Sequence, residues 1–172
     1  MAYVSTIQED WHAEAFRRGN AYQIVVNIGH DEATNCTYSI ALGLEPQPGG
    51  AMEYYFCIIV YNGNTDEETS CFSGLESTNI LPQVQRGAVL RAFLHATRLL
   101  LIQVNPANVN WCTWDQNLPE KALRKYLLIA RVFESAGYRV ESAAPHNGQY
   151  FWHAERLNEP GFPFDLDEGD GK

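Results

Sequence analysis

Positive charge is scarce in this 172-residue sequence: twelve Lys and Arg stand against 21 Asp and Glu, a formal net charge of -9. A surface of that sign repels phosphate, which excludes a domain that coats nucleic acid by bulk attraction. Several signatures of nucleotide, ester and zinc chemistry are missing. There is no Gly-x-x-x-x-Gly-Lys loop, no strand-linked Gly-x-Gly-x-x-Gly, no Gly-x-Ser-x-Gly elbow and no His-x-x-x-His pair. The four cysteines, Cys36, Cys57, Cys71 and Cys112, form no Cys-x-x-Cys pair and are expected as free thiols. The densest apolar run, Leu99-Leu100-Leu101-Ile102, falls far short of the roughly 20 residues that span a bilayer, so no membrane contact is expected. The opening residues 1–10 have no basic stretch followed by an apolar one. An intracellular location, cytoplasmic or nuclear, is therefore expected.

What the sequence does have is core. Hydrophobic residues make up 45% and charged residues 19%, values of a folded domain. One domain is expected over residues 1–157. Residues 158–172 carry five acids, one Lys and five Gly or Pro without periodicity, and read as a disordered acidic tail. A short helix is expected over residues 8–18, ended by Gly19-Asn20. Three strands in meander order follow at residues 22–28, 37–44 and 53–61, the last two joined by the turn Pro46-Gln47-Pro48-Gly49-Gly50. Residues 70–77 can add a short strand or an edge. A long helix over 84–104 has the apolar stripe Val89, Phe93, Ala96, Leu100 and Val104. Arg91, His95 and Arg98 fall on its opposite face.

A strand at 109–114 leads to a second helix at 119–136. That helix turns Leu123, Tyr126, Leu127, Ala130 and Phe133 inward, and Lys121, Arg124, Lys125 and Arg131 outward. Two strands close the domain around Asn147-Gly148, a strong hairpin signal. The fold class is thus α+β: a mixed sheet of five or six strands with two long helices packed on it, in the order α-βββ-α-β-α-ββ.

Few residues stand out for chemistry. His30-Asp31-Glu32 could ligate a metal or serve as a base, or could be a solvated loop. Asp115, at the end of a strand, could be functional or could cap the helix that follows. His153 and Glu155 share one face of the last strand, a pattern that a solvated sheet face also gives. Arg91, His95 and Arg98 form either a line of cations for phosphate or an acidic partner, or the solvated face of an amphipathic helix. Tyr54, Tyr55, Trp111 and Trp114 are candidates for a partner-binding surface, with core packing as the plain alternative.

Two family resemblances follow from these segments. The β-β-β-α-β-α order resembles the RNase H-like superfamily. Residues 24–29 are similar to its first strand, 86–98 to its first helix and 109–116 to its fourth strand. By this matching the family's three metal-ligand positions hold Ile28, Val89 and Trp114, which cannot coordinate a hard cation. The resemblance therefore implies the fold without the nuclease. Only a relocated site at Asp31, Asp115 and Glu155 could restore a metal.

Residues 82–90 resemble the loop before the long helix of the GNAT N-acyltransferases, where backbone N–H groups hold the pyrophosphate of acyl-CoA. The closing segment from Gly137-Tyr138 through Trp152 to Leu157 is also similar to that family. This resemblance implies an acyl-CoA loop at Gln85, Arg86, Gly87 and Ala88. Two departures stand in it: Leu90 where a Gly or Ala lets the phosphate approach, and Phe133 where many members carry an acidic Tyr.

The first expectation is a noncatalytic intracellular binding or scaffold domain without a cofactor, partnered by a protein. Nucleic acid could meet the local Arg stripe, against the net charge. The alternative is an acyl-CoA-dependent N-acyltransferase using acetyl-CoA, with an amine substrate drawn to the acidic surface.

Overall fold

The computed structural model describes residues 3–8 and 11–157. The expected acidic tail at 158–172 lies outside them. The chain order is β1 (Tyr3–Ser5), β2 (Phe16–Arg18), β3 (Ala21–Asp31), β4 (Cys36–Pro46), β5 (Met52–Asn62), β6 (Glu67–Cys71), α1 (Ser77–Ile80), a 3-10 turn (Gln83–Gln85), α2 (Arg86–Val104), β7 (Asn108–Cys112), α3 (Glu120–Ser135), β8 (Tyr138–His146) and β9 (Gln149–Arg156). This is the expected α+β class with two long helices. The nine strands form one mixed sheet whose main path runs β1-β3-β4-β5-β7-β9-β8, with β2 paired to β3 and β6 to β5.

The expected N-terminal helix is not formed. Phe16–Arg18 instead pairs antiparallel with β3, Arg18 facing Ala21 across a two-residue turn. Gly19 takes φ +62 at the first position of that turn, a conformation open to glycine at no steric cost. Tight-turn chemistry thus outweighs helical spacing here. The extra strands β1, β2 and β6 account for a sheet wider than the expected five or six.

The meander β3-β4-β5 is the continuous half of the sheet, with β4 and β5 in register from Cys36↔Asn62 to Pro46↔Met52. Alternation along these strands buries Ile24, Ile28, Ile40, Leu42, Leu44, Tyr54 and Ile58. α2 covers that layer with Val89, Phe93, Ala96 and Leu100, the stripe its spacing predicts. Residues 83–104 are long and apolar enough to cross a membrane by composition, yet this is the helix that supplies the core face. Asn105 ends it in the left-handed region at φ 54. α3 is stopped by Gly137 at φ +91, and Asn147-Gly148 turn the last hairpin with both φ values positive. All four cysteines are free thiols.

Candidate ligand-binding site

The sheet has one seam where it barely holds together. β5 and β7 run parallel and pair at only two positions, Met52↔Val109 and Glu53↔Asn110. Beyond them the two strands separate. The edge of β5 that β7 leaves is taken by β6, which pairs from Ile58↔Cys71 to Asn62↔Glu67. From β6 the chain returns through residues 72–81 to α2, roofing a cavity of about 680 Å³.

The walls are apolar. Phe56 and Ile58 come from β5, Val89, Leu90 and Phe93 from α2, and Leu118, Ala122 and Tyr126 from the α3 side. Four cations line the same space, Arg86, Lys121, Arg124 and Lys125, and no carboxylate does so among the described residues. Arg86 also holds the roof, its guanidinium donating to the Thr78 carbonyl at 2.6 Å and the Leu81 carbonyl at 3.2 Å. Asp115 ties the roof to the end of β7, its Oδ2 accepting the Gly74 N–H at 3.1 Å. It therefore does not cap α3, which starts after Pro119 with no side-chain cap.

Lys125 was expected on the outer face of α3 and lies instead in the cavity wall. Its ammonium sits 4.6 Å from the Phe56 ring centre and 5.0 Å from that of Tyr126. No hydrogen bond or ion pair reaches it among the described residues. A Cβ on Gly74 would come within 3.0 Å of its Nζ, so the missing side chain there leaves room for the amine. Burial lowers the amine from 10.5 to about 8, against the opposing pull of Asp115 and Cys71. Burial likewise raises the Cys71 and Cys57 thiols. Neither is an activated thiolate.

Behind the cavity stands a wall of aromatic rings. Tyr126 stacks on Trp152 at 5.3 Å, Trp152 on Trp111 at 6.0 Å, and Trp111 on Phe133 at 4.5 Å. Tyr54 meets Trp111 and Phe133 edge-on. Thr97, buried on α2, donates its hydroxyl proton to the Phe93 carbonyl at 2.9 Å and accepts from Tyr54 at 2.7 Å. Burial pushes the Tyr54 phenol well above its usual range. The Trp111 indole N–H is buried without a partner among the described residues. Beyond the wall, Glu53, Glu141, Asn110, Cys112 and His153 line a second cavity of about 600 Å³. No residue is shared between the two linings.

The predicted site residues divide accordingly. Tyr54 and Trp111 are 3% and 2% exposed, so the reading of them as a contact surface is corrected: they are core. Trp114 is exposed and stacks on Phe72 at the first cavity. Arg91, His95 and Arg98 share the outer face of α2, where Trp11 packs edge-on against the His95 ring and Arg98 donates to Ser135. Gln85, Arg86, Gly87 and Ala88 span the start of α2, with Arg86 and Leu90 in the first cavity's lining. Phe133, expected near the acid position of an acyltransferase, is fully buried.

Asp31, Asp115 and Glu155 are not brought together. Asp31 accepts the Ala33 N–H in its own turn, Asp115 holds Gly74, and Glu155 pairs with Arg139 at 2.6 Å. Among the described residues no group of three His, Cys, Asp or Glu could hold a metal ion. The residue that spacing missed is Lys125, and its signal was the run Lys121, Arg124, Lys125 facing an acidic chain. Comparisons with protein-family models, curated proteins and solved structures gave no match to this chain.

Proposed function

We propose that the first cavity binds an acyl-CoA and that the protein is an acyl-CoA-dependent N-acyltransferase. The observation that carries this reading is the cavity's charge: four cations and, among the described residues, no carboxylate line an apolar space in a chain of net charge -9. A ligand that joins a long, thin arm to several phosphates, as an acyl-CoA does, fits such a lining. Arg86, Lys121 and Arg124 are the phosphate partners in this proposal. Phe56, Phe72, Leu81 and Leu118 hold the arm and exclude water.

With Phe133 in the core, no proton donor stands at that position. The leaving group is a thiolate, a much weaker base than an alkoxide or amide anion, so it departs with little assistance. Such a reaction places the protein inside the cell, where its thioester substrate is made. The RNase H-like resemblance has less to support it. The C-terminal hairpin β8-β9 stands where that family has another helix, and the relocated carboxylates are apart.

The test is a thermal-unfolding scan with acetyl-CoA at about 100 times its dissociation constant, where one-site binding adds roughly 2.7 kcal/mol. At ~2–4 °C per kcal/mol for a chain of this size, the midpoint rises about 5–10 °C. No rise overturns the proposal. It would return attention to a noncatalytic module that meets a protein partner through Trp114 or the Arg91–Arg98 face.

A further inference from the structure

We propose that Lys125 is a self-acylation site, its side-chain nitrogen taking the acyl group of a thioester held in the first cavity. The inference rests on the acyl-CoA reading of that cavity and goes beyond it to a modification of the protein itself. Three observations carry it. The nitrogen lines the cavity against the faces of Phe56 and Tyr126, so a ligand's apolar arm passes beside it. No hydrogen bond or ion pair holds it among the described residues, so nothing must be broken before it attacks. The chain has only three lysines, Lys121, Lys125 and Lys172, and Lys121 is exposed one turn away on the same helix.

Besides burial, Asp115 and Cys71 act on its charge, and other polar groups stand around the same space. Asp115 follows β7, Cys71 ends β6, Tyr126 is its neighbour on α3, and Arg86 and Arg124 stand at the rim. Burial is the largest influence and favours the free amine. With a value of about 8, roughly a tenth of the molecules carry a neutral Lys125 at pH 7, about 300-fold more than at the ordinary value of 10.5. The step balances without any further reagent. The neutral nitrogen attacks the thioester carbonyl carbon, a C–N bond forms and the C–S bond breaks. CoA leaves as thiolate and takes up the proton that the nitrogen sheds, giving an amide and free CoA thiol. The product side chain is uncharged, which suits the apolar wall better than the ammonium did.

The experiment incubates the full chain with acetyl-CoA at pH 8 and maps acetylated peptides by mass spectrometry, with a parallel thermal scan. A second arm replaces acetyl-CoA by S-acetyl-N-acetylcysteamine, which has the thioester and no phosphates. Expected are acetylation of Lys125 at least tenfold above Lys121 and Lys172, a rate that climbs as pH rises through about 8, and a slower reaction with the truncated thioester. Lys125→Arg abolishes the label at position 125. A thermal shift with no acyl group on Lys125 overturns the self-acylation and leaves acyl-CoA binding standing. Equal labelling of Lys121 and Lys125, or equal rates with both thioesters, also overturns it. Absence of both label and shift removes the two readings together.

Discussion

The two cavities beside the β5–β7 seam differ little in size and completely in charge. Among the described residues, one has about 680 Å³, four cations and no carboxylate; the other has about 600 Å³, with Glu53, Glu141 and His153 and no Lys or Arg. The difference follows from alternation and helix placement. Along β5, Phe56 and Ile58 look toward the helices and Glu53 looks the other way, while α3 delivers its basic face only to the first cavity. Two strands that pair at only two residues thus leave cavities of opposite charge on either side of one aromatic wall. A chain that is acidic overall can therefore still present a local positive site.

The largest expected effect comes from breaching that wall. Trp111→Ala removes a ring stacked on Phe133 and Trp152 and should cost about 3–5 kcal/mol, read as a lower denaturant midpoint. Trp111→Phe should cost clearly less, since its buried N–H has no partner to lose among the described residues. Charge reversal of the first cavity sharpens the contrast with smaller cost to the fold. Lys121→Glu with Arg124→Glu, both exposed, should weaken acetyl-CoA at least tenfold, about 1.4 kcal/mol, whereas Glu53→Gln with Glu141→Gln should leave its thermal shift intact. Equal loss from both pairs would mean that the two cavities are not distinct in ligand charge.

Removing the buried cation should stabilise the protein. Folding lowers the Lys125 amine from 10.5 to about 8, so between those values the unfolded chain holds the proton more tightly. The cost is complete below pH 8 and fades as pH rises through 10.5. Allowing for partial exposure, Lys125→Met should gain on the order of 2 kcal/mol at pH 7. Its advantage over the parent should shrink across that window in paired denaturant titrations. The smallest effect is at Tyr54→Phe. Thr97 keeps its bond to the Phe93 carbonyl, so the loss should be about 1 kcal/mol, with no change in acetyl-CoA binding.

Much of the scaffold was legible because it is written in periodicity. The meander, the buried stripe of α2 and the Asn147-Gly148 hairpin all follow from local pattern and turn chemistry. The strand at Phe16–Arg18 was not, because its partner β3 supplies the reason for it and helical spacing in 8–18 does not compete with that pairing. On α3 the inward and outward sets blur at their border. Leu127 was read as buried and is 56% exposed, while Lys125 was read as solvated and is half-buried. A cation two positions from such a border becomes a cavity residue only when the roof at 72–81 closes over it, and no spacing rule encodes the path of that roof. Tyr54 and Trp111 were misassigned for a related reason: aromatics serve interfaces and cores alike, and only the stack behind the seam decides between them.

The short strand β6 has a meaning for the behaviour of many copies in one tube. Where β7 leaves β5, a row of backbone donors and acceptors would otherwise lie open to any passing strand, including one from a second molecule. β6 occupies that row with residues from the same chain, and it faces outward with Glu67 and Glu68, both exposed. Its sequence is thus a guard against intermolecular strand addition, built into the hairpin that opens the cavity. Shortening that hairpin is expected to expose the edge and turn a freely dissolved preparation into one that forms sedimenting aggregates.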